Sequence, residues 1–113
     1  MNWKSIRLEL GHTAEFPGGS VSRAYLIRLP LDDFDGVDKA ALAAFPMKAT
    51  VLRQWSSDPE ESGLLEQTDA SWLMRSHGRE RQFKLDGMIR LGQTISVVDP
   101  DGTSLPFRIA SVR

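Results

Sequence analysis

Few residues stand out for their chemistry. Gly11-His12-Thr13-Ala14-Glu15-Phe16-Pro17-Gly18-Gly19-Ser20 gathers a histidine, a carboxylate three residues on and paired glycines in one segment. Backbone amides of glycine-rich loops can cradle an anion. An imidazole and a carboxylate can share a cation. His12, Glu15, Gly18 and Gly19 are therefore a candidate anion or small-ligand loop. Against this, the segment lacks the Gly-Lys-Ser/Thr ending of a phosphate loop and the spacing of a dinucleotide fingerprint. The plainer alternative is an irregular connection whose glycines take positive φ. With Glu9 it offers too few ligands for a metal centre, and none is expected.

A second set is basic and aromatic: Trp72, Arg75, Arg79, Arg81 and Lys84. Exposed on one face of a small barrel, such residues hold single-stranded nucleic acid by charge and stacking. The competing reading puts Arg79, Arg81, Phe83 and Leu85 on one side of a strand, with the last two in the core. A net charge of −1 also opposes strong polyanion binding. Asp32 to Asp38 imitates a calcium loop, but with Gly36 at its sixth position Leu31 and Leu42 fall where ligands are needed. For nucleophilic catalysis there is no Gly-x-Ser-x-Gly elbow; Ser76 merely adjoins His77. No catalytic residue and no cofactor is assigned.

The frame for these residues is one domain, 1–113. At 41% hydrophobic and 26% charged residues the chain has the composition of a folded globular domain. The absence of cysteine excludes disulfides, thiolate metal sites and cysteine nucleophiles, and two histidines exclude a multi-histidine centre. No apolar run reaches the roughly 18–20 residues of a membrane helix. The opening Met1-Asn2-Trp3-Lys4-Ser5-Ile6 has no signal-peptide core, so a cytoplasmic location is expected. Charge is uneven: residues 1–31 carry four basic and two acidic side chains, 32–70 three and nine, and 71–113 seven and four.

Period-two alternation dominates. Ile6, Leu8 and Leu10 alternate with Ser5, Arg7 and Glu9, the pattern of a strand with one buried face. Further strands are expected over 23–29 (ended by Pro30), 48–55, 71–75, 79–86, 94–98 and 105–112, with a short edge strand at 64–67. Ser76-His77-Gly78 and Asp99-Pro100-Asp101-Gly102 read as hairpin turns. One helix is expected over 35–45, capped by Asp35 and stopped by Pro46. Seven or eight short strands with one helix predict a mainly β fold, a small antiparallel barrel or strongly curved sheet.

Three stretches carry a resemblance. They are Ser22-Arg23-Ala24-Tyr25-Leu26-Ile27-Arg28-Leu29-Pro30-Leu31, then Ala40-Ala41-Leu42-Ala43-Ala44 with Lys48-Ala49-Thr50-Val51, then Asp99-Pro100-Asp101-Gly102 with Leu105-Pro106-Phe107-Arg108. Together they resemble a family of small bacterial single-domain proteins. The resemblance implies a bacterial, cytoplasmic protein and carries no activity or functional residue.

The expected function is binding or interaction without catalysis. A protein partner or a second copy of the chain comes first, motivated by the acidic segment 58–69 and the edge strand 64–67. Single-stranded nucleic acid at Trp72, Arg75, Arg79, Arg81 and Lys84 is one alternative. A small-ligand or hydrolytic site at the loop from Gly11 to Ser20 is the other.

Overall fold

The alternating segments form eight strands that close on themselves. A computed structural model describes residues 2–68, 71–85 and 87–113. The strands are β1 (Asn2–Leu10), β2 (Ser20–Leu31), β3 (Thr50–Trp55), β4 (Glu61–Gln67), β5 (Trp72–Ser76), β6 (Arg79–Phe83), β7 (Thr94–Val98) and β8 (Ser104–Val112). Each pairs antiparallel with the next, and β8 returns to β1 with Leu8 opposite Ile109. The expected mainly β barrel is therefore present as a closed up-and-down barrel.

Closure corrects the edge strand expected at 64–67. β4 begins at Glu61 and pairs on both sides, with β3 (Arg53 opposite Glu61) and with β5 (Leu65 opposite Met74). The polar start of β4 hid its first three residues. β2 continues through Pro30, which lies opposite Trp3. Pairing with β3 has ended by then, after Ile27 opposite Val51. The missing N–H therefore deprives no ladder, and the Pro30 carbonyl accepts from Asp38 N at 2.9 Å.

The helix is shorter than expected. α1 spans Lys39–Ala44, and its cap is Asp38, whose Oδ1 accepts from Ala41 N at 3.0 Å. Asp35 does not cap because the preceding turn is organised by Asp32, whose Oδ1 accepts from Phe34 N and Gly36 N. That turn holds Asp35 at φ 63, outside helical space. A short 3₁₀ turn, Pro46–Lys48, leads into β3. The expected strand over 79–86 ends at Phe83, and its last position, Asp86, lies outside the described residues.

The two barrel ends differ. α1 and residues 84–85 and 87–93 close one end, where Leu42, Leu85 and Ile89 are buried. Asp35 ties these pieces together: its carbonyl accepts from Ile89 N and its carboxylate from Arg90 Nε, at 2.7 and 2.9 Å. The other end carries the connections 11–19, 56–60, 77–78 and 99–103 and no helix. His77 and Gly78 have φ 51 and 74, as a two-residue type I′ hairpin requires.

Inward positions hold Ile6, Leu8, Tyr25, Ile27, Val51, Met74, Phe83, Val97, Phe107 and Ile109, all buried. Tyr25 sits edge-on to Phe83 and Phe107, with centroids 5.0 and 5.1 Å away. The outer face carries Arg7, Glu9, Arg28, Glu66, Arg75, Glu80 and Arg108. This is the reverse of a lipid-facing barrel, whose outer band is apolar. No helix among the described residues is long and apolar enough to cross a membrane.

Gly63 lets β4 and β5 approach closely. A Cβ there would lie 2.7 Å from the Arg75 carbonyl oxygen, a backbone atom that cannot swing away. Gly63→Ala is expected to lower the unfolding free energy by about 1–3 kcal/mol. An unchanged urea midpoint would contradict the tight crossing.

Candidate functional site

Strand alternation carries charged residues into the unplugged end. Arg53 follows Val51 on the inner face of β3, Arg81 precedes Phe83 on β6, Glu61 precedes Leu65 on β4, and Asp99 follows Val97 beyond β7. Arg53 and Arg81 are only 8% and 4% exposed. Guanidinium groups are rarely this buried without full pairing.

Their pairing is incomplete. Arg81 Nη1 donates to Glu61 Oε2 at 3.0 Å, and Arg79 Nη2 donates to Glu61 Oε1 at 3.0 Å. Arg53 Nη1 donates to Asp58 Oδ2 at 3.3 Å. Arg81 Nε faces Asp99 Oδ1 at 3.5 Å without hydrogen-bond alignment. Four buried side-chain polar atoms lack a partner among the described residues: Arg53 Nε, Arg81 Nε, Tyr25 Oη and Trp3 Nε1. The first three belong to this end of the barrel, where Tyr25 lies directly opposite Arg53 on neighbouring strands.

Two clefts flank Arg53. One, of about 440 Å³, is lined by Arg53, Asp58, Glu61, His77, Arg79 and Arg81 among others. The other, of about 280 Å³, is lined by Thr13, Glu15, Phe16, Arg53, Trp55 and Asp99 among others. Arg53 lies over the Trp55 ring, 4.0 Å from its centroid. Trp55 in turn contacts Tyr25 and Phe107 with centroids 6.0 Å apart. The guanidinium is thus braced on the aromatic core.

Electrostatics follows from this packing. Burial pushes the Tyr25 hydroxyl up to about 12, with Arg81 opposing, Asp99 adding, and the charge and close approach of the Arg53 guanidinium also opposing, so it stays protonated through the neutral range. Burial also raises Asp99, against the pull of Arg81 and Arg53. Burial would raise Glu61 too, but the hydrogen bond and charge of Arg81, with Arg79 and Arg53, hold its carboxyl below the ordinary value.

The residues singled out from the sequence separate in space. Glu15 faces the mouth, whereas His12 and Gly18 line a groove on the outer side with Glu9 and Arg108. His12 Nδ1 is engaged with the Pro17 carbonyl. Gly19, at φ 76, makes the close turn back against the Leu10 carbonyl. No group of three histidine, aspartate or glutamate side chains among the described residues is placed to hold a metal.

The basic set is likewise divided. Trp72 is 5% exposed inside the barrel, Arg81 is inside near the mouth, and Arg79 is on the rim. Arg75 points outward and pairs with Glu66 and Glu80 at 3.5 and 2.9 Å. Lys84 is exposed just after β6, toward the plugged end. These five side chains do not form one exposed face. Tyr25, Arg53, Trp55, Glu61 and Asp99 are not among the site residues expected from the sequence, although Glu61 lies in the acidic segment 58–69. For Arg53, Glu61 and Asp99 the signal is a charged residue in phase with apolar ones.

Fold and site together define a closed eight-stranded meander barrel with one plugged end and one charged, partly unpaired mouth. No family model, no curated protein and no solved structure matches the chain.

The Arg81–Glu61 pair makes pH a usable probe. Glu61→Ala leaves a buried guanidinium without its main partner and is expected to cost about 3–5 kcal/mol at neutral pH. Glu61 is held below its ordinary 4.5, so its contribution is complete above that pH and is lost as pH falls further. The stability gap between wild type and variant should therefore close below about pH 4.5. A gap that is flat with pH would contradict the charge-based pairing.

Proposed function

We propose that this protein is a non-catalytic binding barrel that takes a small polar molecule into its charged mouth. The observation that carries this reading is the gathering of unpartnered Arg53 Nε, Arg81 Nε and Tyr25 Oη at the unplugged end. Buried donors left unmatched cost about 1–3 kcal/mol each, more when charged. A ligand whose acceptors meet them recovers that free energy. Mouths of barrels are common ligand sites, and aromatic walls with a few convergent polar groups are their usual lining.

The loop from Gly11 to Ser20 keeps a part in this reading as one wall, through Thr13, Glu15 and Phe16. The features that motivated a protein partner or self-association have other uses. Glu61 and Glu66 pair with arginines of β5 and β6, Asp58 pairs with Arg53, and β4 is no edge. Asp69, the last residue of that acidic segment, lies outside the described residues. For nucleic acid, Arg75, Arg79 and Arg81 are already matched to carboxylates.

The test is a set of ¹⁵N–¹H spectra recorded with small carboxylates, phosphates, amides, amines and sugars. At least one class should move the amides of Tyr25, Arg53, Arg81 and Asp99 and leave those of Glu66 and Lys84 in place. Silence across the set, or shifts confined to the outer face, would overturn the reading.

A further inference from the structure

The three arginines of the mouth do not play equal parts. Glu61 is 11% exposed and bonds both Arg79 and Arg81 at 3.0 Å, a fixed arrangement within β4 and β6. Asp99 faces the remaining Nε edge of Arg81. Arg53 differs. Among the described residues its only carboxylate contact is Asp58, which is 48% exposed, sits in the connection 56–60 and reaches Nη1 at a long 3.3 Å. Asp58 itself can return to water, and a ligand carboxylate then takes its place as the counter-charge of the buried Arg53.

With Nη1 turned toward Asp58, the Nε edge of Arg53 is the part without an acceptor. A guanidinium offers planar, parallel donors that match the two oxygens of a carboxylate. An Arg N–H donates only, so its counterpart must be an acceptor. The Tyr25 hydroxyl stands beside it, near enough for the Arg53 guanidinium to pull its pKa down against burial, and its O–H remains a neutral donor. The Trp55 ring covers one face of the guanidinium, leaving its edge as the direction of approach.

Arg53, Arg79 and Arg81 face Asp58, Glu61 and Asp99. Arg23, Glu15 and Glu60 also line the two clefts, so four guanidinium groups meet five carboxylates, a net charge of −1. A monoanion that releases Asp58 to solvent leaves that balance unchanged. A dianion adds one more negative charge to a partly buried site, which desolvation and like-charge repulsion penalise. We infer that the ligand is a small monocarboxylate held on the Nε edge of Arg53 with the Tyr25 hydroxyl, and that Asp58 is the internal carboxylate it supplants. This rests on the reading of the mouth as the binding site.

The probes are benzoate, its neutral isostere benzamide, acetate and inorganic phosphate. The readout is the Arg53 Nε–H resonance with the neighbouring amides, in the full chain. Benzoate or acetate should move that resonance, and benzamide should not. Asp58→Asn should tighten carboxylate binding several-fold by removing the competitor. Arg53→Lys, which keeps the charge but loses the paired donors, should weaken it by about tenfold or more. Asp58 lies in an exposed connection, so its variant reports even where Arg53→Lys fails to fold.

Benzamide binding as tightly as benzoate, phosphate binding more tightly than either carboxylate, or indifference to Asp58→Asn would overturn the inference. Should an amine or a sugar occupy the mouth instead, the mouth remains the site and the carboxylate assignment falls. Should nothing tested move the mouth resonances in wild type or Asp58→Asn, both readings fall together.

Discussion

Closure of β1 onto β8 decides what every inward side chain must do. In an open sheet, a residue in phase with the core can still reach solvent at an edge. In a closed eight-stranded barrel the inward side chains share one narrow interior that they just fill. Leu8, Tyr25, Ile27, Phe83, Phe107 and Ile109 occupy its middle. Beyond them, alternation delivers Arg53, Glu61, Arg81 and Asp99 to the same enclosed end. Topology thus buries Arg53 and Arg81 and half-buries Glu61 and Asp99, and their pairing must be settled locally.

The settlement explains the uneven charge of the chain. The acidic stretch around β4 and the basic stretch of β5 and β6 are adjacent strands, so charges far apart in composition become neighbours across the sheet. Arg79 and Arg81 meet Glu61, and Arg75 meets Glu66. Arg7, Arg75 and Arg108 find carboxylates on the outside, where water serves any group left over, whereas within the mouth buried guanidinium donors lack acceptors. A barrel selected for stability alone would place apolar side chains at those positions, because buried ion pairs seldom outperform well-packed apolar groups. Their presence at the only end without a helix plug gives the mouth its functional reading.

Much of this was legible in the sequence. Ile6, Leu8 and Leu10 declare a half-buried strand, and the turns at Ser76-His77-Gly78 and Asp99-Pro100-Asp101-Gly102 are where their residue types place them. The helix start was misplaced because Asp32, Asp35 and Asp38 are equally good caps by type. Only the turn built on Asp32 decides among them. The extent of β4 was missed because Glu61 and Ser62 read as loop while the ladder to β3 overrides that preference. The site was half legible. Arg81 was singled out, and its phase with Phe83 was visible, but that phase argued for a strand end and not for a buried arginine. Arg53 in phase with Val51 carried the same signal. Which strands would face one another across the interior depends on closure, and no local pattern encodes it.

On the proposed function, the mouth network serves binding and not stability. The most direct test replaces it together, with Arg53→Met, Glu61→Leu and Arg81→Met in one chain, and measures unfolding free energy in urea beside benzoate binding. Stability equal to wild type or higher by up to about 4 kcal/mol is expected, with benzoate binding abolished. A loss of several kcal/mol, with the fold otherwise intact, would show that the arginines hold the barrel together and would contradict the account.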